Sequence, residues 1–161
     1  MSNALLNERA ADVDTEMQLV VARIFNECYG IPIIQVQEII KPTEITCVPR
    51  MPDFLEGVIN LRGKIVPVVD LYKHFNLGEK KVTDETRIIV SSVGEQAVGL
   101  IVDAVAEVIR VPLDLVEPIP KAISTLDSQF VRGVAKVDKQ LVIVLNLEMI
   151  VKDLEERSRN A

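Results

Sequence analysis

Residues 58–71, VINLRGKIVPVVDL, decide how the chain can fold. Two apolar runs rich in Val and Ile flank a short polar centre, Arg62-Gly63-Lys64. Such runs favour β-strands, and a glycine between them can take the positive φ that a tight hairpin turn requires. The stretch therefore predicts an apolar β-hairpin with Gly63 at the turn and a charged side chain, Arg62, at the tip.

This hairpin has a second copy. The segment FLEGVINLRGKIVPVVDL, from Phe54, aligns without a gap with FVRGVAKVDKQLVIVLNL, from Phe130. Upstream, GIPIIQVQEII from Gly30 matches GLIVDAVAEVI from Gly99, also without a gap but at a slightly shorter offset. Because both matches occur in the same order, they indicate an internal duplication rather than a chance likeness of Val-rich strands.

The duplication predicts a mainly β fold of two pseudo-repeated barrels packed together, with short helices and a C-terminal helix. Each half carries about five short strands, the number that suits a small closed barrel without exposed edges. We expect residues 17–151 to form a single domain with subdomains near 17–80 and 86–151. Residues 1–16 and 152–161 are predicted to be a mobile tail and a helix end.

The residues predicted to be structural are Phe54, Gly63, Phe130 and Gly133. Phe54 and Phe130 should be largely buried, each closing one barrel, and should superpose on one another. Gly57 and Gly133 should likewise occupy equivalent positions. The polar segment 77–86, LGEKKVTDET, is predicted to be a mobile join between the halves.

Composition excludes several classes of function. The net charge of −6 and the absence of Trp argue against binding to nucleic acid, which needs a basic surface or stacking aromatics. No apolar run approaches the roughly 20 residues of a membrane span, and no secretion signal is visible. The two cysteines follow no metal or redox spacing, which is typical of reduced thiols in the cytoplasm.

Signals of catalysis are also missing. The one histidine, His74, lies in YKHFNLG, which predicts a surface position at a helix end, so neither a metal site nor a cofactor is expected. No phosphate-binding glycine loop or nucleophile motif occurs. The many carboxylates leave an acid/base pair open, although most are predicted to be solvated. The sequence therefore favours a binding module.

Arg62 is the leading candidate for a binding residue. The equivalent turn of the second copy, residues 137–140, reads VDKQ and has neither the arginine nor the glycine. The two copies share their apolar pattern and differ at the tip, where one of them could acquire a function. A solvated turn residue is the alternative. A guanidinium suits protein contacts, and Glu38 is a candidate carboxylate partner.

The segments YGIPIIQVQEI and MPDFLEGVINLRGKIVPVVDL resemble the signature of the CheW family of chemotaxis adaptors, over roughly residues 17–151. The resemblance implies two five-stranded SH3-like barrels, with some exchange of strands, and a scaffold without a reaction of its own. The implied partners are the cytoplasmic hairpin tip of chemoreceptors, the CheW-like domain of the histidine kinase CheA, and other adaptor copies in rings. It also implies a cytoplasmic protein associated with membrane-anchored receptor arrays.

The resemblance assigns roles to individual residues. Arg62 and Glu38 match the charged pair beside the receptor groove of the family, and Val36, Ile39 and Gly57 fall near the same surface.

The EPIPK loop, with Glu117 and Lys121, is a candidate contact with the kinase in rings. Two alternatives stay open: an adaptor of a chemosensory pathway that governs surface motility or second-messenger output, and a ligand-binding barrel or unrecognised hydrolase.

Overall fold

The computed structural model describes residues 15–119 and 128–159 of the chain. Of the predicted tail, residues 1–14 lie outside these ranges, and Glu16 already belongs to the first strand. Three short 3-10 turns lie between strands, at Ile33–Gln35, Leu113–Leu115 and Ser128–Phe130. The described strands and α-helices are β1 (Glu16–Ile24), β2 (Glu27–Pro32), β3 (Val36–Ile40), β4 (Leu55–Leu61), β5 (Lys64–Asp70), α1 (Leu71–His74), β6 (Arg87–Val93), β7 (Gln96–Val102), β8 (Ala104–Pro112), β9 (Val116–Glu117), β10 (Val131–Val137), β11 (Gln140–Leu145) and α2 (Leu147–Arg159).

Hydrogen bonds join the strands into two sheets. We call the sheet with the order β8-β1-β2-β11-β10-β9 barrel 1 and the sheet with the order β3-β6-β7-β5-β4 barrel 2. Most neighbouring strands are antiparallel, but β2 runs parallel to β11 and β5 runs parallel to β7. The predicted mainly β fold of two packed barrels with short helices and a C-terminal helix is confirmed.

The internal duplication is visible in the two parallel contacts. In barrel 1, Val144 pairs with Gly30, and in barrel 2, Val68 pairs with Gly99. Each residue of the first pair is the repeat equivalent of one in the second. The two copies therefore adopt the same strand pairing.

The two halves of the chain exchange strands: barrel 1 takes β1 and β2 from the first half and β8 to β11 from the second, and barrel 2 takes β3 to β5 from the first half and β6 and β7 from the second. β3 leaves β1 and β2 and pairs with β6 in barrel 2, whereas its repeat equivalent β8 pairs with β1 in barrel 1. Consequently each of the sequence intervals 17–80 and 86–151 contributes strands to both barrels.

The segment that follows β3 closes barrel 2, and the segment that follows β8 closes barrel 1. After β3, Thr46 makes two backbone hydrogen bonds of 2.8 Å with Val58 of β4. After β8, Glu117 of β9 pairs with Val134 of β10. Because Val58 and Val134 are repeat equivalents, the same device removes a free edge from both barrels.

Glycine is required where these closing segments cross. A Cβ on Gly57 would lie 2.3 Å from the backbone oxygen of Thr46, and one on Gly133 would lie 2.7 Å from that of Glu117. Gly57 also has a φ of 153°, which side chains disfavour. The Phe-x-x-Gly pattern thus places each glycine where two backbones approach closely.

Each barrel has its own small core, and a larger core lies between them. Inward-facing Val and Ile side chains fill the barrels, whereas the shared core also holds the buried aromatic residues and one face of α2. Neither half of this size has enough apolar side chains for a large core of its own, so the shared core stabilises both. Members of the shared core include Ile31, Phe54, Tyr72, Leu100, Phe130, Leu147 and Leu154.

Phe54 and Phe130 are 2% and 5% exposed, which confirms their burial. Both rings pack against the imidazole of His74, with centroid distances of 4.6 and 4.5 Å. They therefore meet in the shared core, and the expectation that each closes a separate barrel is wrong. The prediction that His74 lies at the surface is also wrong, since only 2% of its side chain is exposed.

The polar segment 77–86 is anchored to barrel 2. The Nζ of Lys80 donates hydrogen bonds to Glu56 Oε2 at 3.0 Å and to Asp70 Oδ2 at 3.1 Å. Asp70 is buried, and it is the N-cap of α1 because its second carboxylate oxygen accepts a hydrogen bond from the backbone N–H of Tyr72. These contacts hold in place a segment that composition alone indicates as a mobile join.

Candidate functional site

The tip of the first hairpin has an unusual residue in its turn. Arg62 and Gly63 have φ values of 52° and 84°, as a two-residue type I′ turn requires. The positive φ predicted for Gly63 is confirmed. Asn, Asp and Gly are the residues that favour the first position of such a turn, and the equivalent residue of the second hairpin is Asp138. The turn itself therefore does not select an arginine.

Arg62 forms a bidentate ion pair with Glu38 of β3. Its Nη1 lies 2.6 Å from Oε1 and its Nη2 lies 2.7 Å from Oε2, so the guanidinium fork matches both carboxylate oxygens. The hydrogen bonds from Arg62 lower the pKa of Glu38, and Glu38 raises the pKa of Arg62. The Arg62 side chain is 74% exposed and the Glu38 side chain 25% exposed, so the pair leaves most of the guanidinium open to solvent.

The remaining residues of the predicted receptor surface differ in accessibility. Ile39 is exposed beside Glu38, whereas Val36 is half-buried and packs against the shared core. Gly57 is buried beneath Thr46 and offers no side chain to a partner. The side chains available at the surface are those of Glu38, Arg62 and Ile39. Gly57 instead allows the close approach of Thr46 that closes barrel 2.

A groove of about 370 Å³ separates barrel 2 from helix α2. Pro67 lies two residues beyond exposed Ile65 on the outward side of β5, which continues from the hairpin tip. At about 3.3 Å per residue, Lys64 at the start of β5 and Pro67 are roughly 10 Å apart along the strand. The residues lining the groove are Met51, Pro67, Gln96, Val98, Val151, Leu154, Glu155 and Ser158.

Sequence reasoning missed two exposed apolar residues. Ile34, in the turn between β2 and β3, is 91% exposed, and Ile65 is 63% exposed. The alternation of β5, with Val66 and Val68 facing inward, could have placed Ile65 on the outer face. Ile34 carried no such signal, because the run GIPII favours a continuous strand over the 3-10 turn that the structure contains.

The predicted kinase contact is described only in part. Glu117 is exposed at the end of β9, where its backbone pairs with Val134. Lys121 lies outside the described residues.

Among residues 15–119 and 128–159, no group of three or more His, Cys, Asp or Glu side chains is placed to hold a metal ion. Within that part of the chain, no helix is both long and apolar enough to span a bilayer.

Comparison with known proteins decides the family. The model of the CheW-like domain matches residues 18–155. The chain belongs to the CheW-like domain family. It is 33% identical over 143 residues to a probable chemotaxis protein CheW of Rhizobium etli, covering 89% of this chain and 92% of the relative.

Two further relatives extend this comparison. The crystal structure of the scaffolding protein TtCheW from Thermoanaerobacter tengcongensis superposes with a TM-score of 0.76 at 44% identity, covering 81% of this chain and 84% of that one. The protein FrzA of Myxococcus xanthus is 26% identical over 151 residues, covering 92% of this chain and 94% of FrzA. The CheW resemblance and the prediction of a chemotaxis adaptor that couples receptors to CheA are confirmed.

Proposed function

We propose that this CheW-family protein is a scaffold without a reaction of its own, and that it binds the cytoplasmic hairpin tip of chemoreceptors at Arg62, Glu38 and Ile39. The observation that carries this proposal is the bidentate Arg62–Glu38 pair, held at a turn position whose backbone favours other residues. An arginine kept there against the preference of the turn fits a role in recognition.

The neighbouring surface fits a helical partner. Exposed Ile39 and Ile65 flank the region of the ion pair, and the groove beside α2 continues in the same direction along β5. A helix that lays an apolar face on such a surface buries its anchors in the groove and leaves polar contacts at the rim. The receptor tip would supply that helix, with the Arg62 guanidinium as the rim contact.

The second partner is the CheW-like domain of CheA. Two similar barrels in one chain offer two ends for barrel-to-barrel contact, and head-to-tail contacts of this kind close into rings. Glu117 of β9 is a proposed contact at one of these ends, with Lys121 beyond it in sequence. Other adaptor copies could occupy the same positions in the ring.

Weak contacts suffice in such an assembly. A single interface with a Kd of about 1 μM corresponds to about −8 kcal/mol. Contacts made together gain from a high effective concentration, so a tiled array can be stable although each contact is modest. The protein would then act in the cytoplasm at membrane-anchored receptor arrays.

A second pathway is also proposed for the same activity. FrzA carries a name other than CheW, yet it matches nearly the full length of this chain. An adaptor of a chemosensory pathway with an output other than swimming would use the same surfaces with different receptors and a different kinase.

The deciding experiment measures binding to a receptor cytoplasmic fragment and, separately, to the CheW-like domain of CheA, by isothermal titration calorimetry. Saturable binding to both supports the proposal, and recruitment of both partners into one complex supports a scaffold. If the protein binds neither the receptor fragment nor the CheA domain of its own organism, the proposed function is contradicted.

A further inference from the structure

A buried polar contact ties helix α2 to the shared core. The Nε2 of His74 lies 3.1 Å from Asp153 Oδ2, and because a carboxylate can only accept, Nε2 carries the proton. The other oxygen of Asp153 accepts a hydrogen bond from Arg157 Nε at 3.1 Å. The guanidinium of Arg157 lies 5.2 Å from the centre of the Phe54 ring. These contacts fix the middle of α2 above the junction of the two barrels.

The internal duplication shows that packing alone does not require a histidine here. When the gapless alignment of the two hairpins is continued past Leu71 and Leu147, His74 falls on Ile150, which is fully buried in the shared core. An apolar side chain therefore fills this position in the second copy. The imidazole of the first copy adds a donor that reaches α2, and a buried donor of this kind needs its partner.

The contact lies behind the wall of the groove. Asp153 falls between Val151 and Leu154, and both of these residues line the groove opposite Pro67 of barrel 2. A shift or rotation of this turn of α2 would change the width of the groove. The position of α2 beside the groove depends on its contacts with the shared core. Among these contacts, the hydrogen bond from His74 to Asp153 is polar and directional.

We propose that His74 is a positioning residue for receptor binding, which holds α2 through Asp153 at the distance from barrel 2 that the receptor segment requires. The inference rests on the proposed function in one respect, that a receptor helix occupies the groove. It adds a residue that lies in the core, away from the surface that touches the partner.

The test uses the full chain and a set of matched variants. His74→Ile copies the residue of the second repeat and keeps the packing, whereas His74→Gln keeps a donor that can reach Asp153. Asp153→Ala removes the acceptor, and Lys152→Ala changes an exposed neighbour on the same helix as the control. Hydrogen exchange of the α2 amides reports how firmly the helix is held against opening, and calorimetry with the receptor fragment reports binding at the groove.

We expect His74→Ile to fold and to bind the kinase fragment normally, with exchange of the α2 amides faster by about tenfold. Receptor binding should weaken by about fivefold or more, as for other residues that order a binding surface. His74→Gln should recover part of both effects, and Lys152→Ala should show neither. In a double-mutant cycle, adding Asp153→Ala to His74→Ile should weaken binding no further.

Several outcomes would overturn the inference. If exchange of α2 is unchanged in His74→Ile, the contact does not position the helix. If exchange rises but receptor affinity does not change, the helix position does not control the groove. If the wild-type chain binds no receptor fragment, the proposed function fails and takes the receptor role of His74 with it, while the exchange data still decide whether His74 holds α2.

Discussion

Arg62 and Glu38 connect the two ends of the strand order in barrel 2. Glu38 belongs to β3 at one end of that order, and Arg62 follows β4 at the other end. The bidentate pair therefore spans the seam that Thr46 closes through its backbone bonds to Val58. Arg62 thus joins the two ends of the barrel and leaves most of its guanidinium exposed. This exposure links the fold to the proposed recognition of the receptor.

The first prediction separates recognition from stability at this pair. Arg62→Asn removes the guanidinium but suits the positive φ of the turn, so the hairpin should form as well as in the wild type. The thermal midpoint should hardly change, because an exposed ion pair contributes little to folding. Receptor affinity should fall by about tenfold or more if Arg62 is desolvated against the partner. Differential scanning calorimetry and receptor titration measure the two quantities.

The matched control for this substitution lies in the other hairpin. Asp138 occupies the equivalent turn position of the second copy, with a φ of 48°, and Asp138→Asn should alter neither the midpoint nor receptor binding. Glu38→Gln should resemble Arg62→Asn, and the double mutant should be less than additive if the two residues act as a unit. Normal receptor binding by Arg62→Asn would show that the arginine is only a solvated turn residue.

The second prediction concerns pH. The hydrogen bonds from Arg62 lower the pKa of Glu38 below the ordinary glutamate value of about 4.3. The ion pair therefore contributes fully at pH values above the ordinary one, and its contribution is lost only as pH falls below that value. Between neutral pH and the ordinary glutamate range, the receptor affinities of the wild type and of Arg62→Asn should therefore depend on pH in the same way. An NMR titration of the Glu38 carboxyl carbon checks the direction of the shift. A Glu38 that titrates above the ordinary range would contradict it.

The sequence predicts the fold well because apolar periodicity and the two repeat alignments act on many residues at once. Equivalent pairs such as Val68 and Val144 occupy equivalent contacts in the structure. The pairing of Arg62 with Glu38 was also accessible, since an unmatched charge at one hairpin tip suggests a carboxylate partner. The exchange of strands between the two halves of the chain is not encoded in the alternation of any strand, and only the family resemblance indicated it.

Single side chains were harder to place. His74 looks like a surface residue because it is a titratable side chain at the end of a short helix, and its burial depends on α2, which begins only at Leu147, near the far end of the chain. Lys80 likewise lies in a polar run, yet it meets the buried carboxylate of Asp70. Both positions are fixed by contacts between segments that are distant in sequence. The local pattern of apolar and polar residues carries little information about such contacts.

The third prediction tests the shared core. Phe54→Ala and Phe130→Ala should each lower the free energy of unfolding by about 3–5 kcal/mol, because each removes a ring that packs on His74 between the barrels. For a domain of ordinary stability this loss can prevent folding. The milder variants Phe54→Leu and Phe130→Leu keep the measurement within range of urea denaturation. Midpoints close to wild type in all four variants would show that these rings do not support the core.

The fourth prediction concerns the anchor of segment 77–86. Lys80→Met keeps much of the apolar stem but leaves the carboxylate of Asp70, which is 1% exposed, without the ammonium that it meets in the wild type. Loss of charge-assisted hydrogen bonds at a buried carboxylate should cost about 1–3 kcal/mol. Lys81→Met, at the exposed neighbouring position, is the control and should be close to neutral. Equal midpoints for the two variants in chemical denaturation would contradict the anchoring role.

The last prediction concerns the crossing glycines and decides how Gly57 should be interpreted. A Cβ at Gly57 meets the backbone of Thr46 at 2.3 Å and one at Gly133 meets that of Glu117 at 2.7 Å, and backbone atoms cannot rotate out of the way. Gly57→Ala and Gly133→Ala should therefore both be destabilising, by about 2–4 kcal/mol, with Gly57→Ala the worse because of its positive φ.

Gly94→Ala is the control, since its φ is also positive, at 59°, but its surroundings are open, and it should cost about 1 kcal/mol. Unfolding in urea measures all three, and receptor titration of the folded fraction separates stability from recognition. If Gly57→Ala is as stable as wild type but fails to bind receptor, Gly57 belongs to the receptor surface rather than to the closure of the barrel.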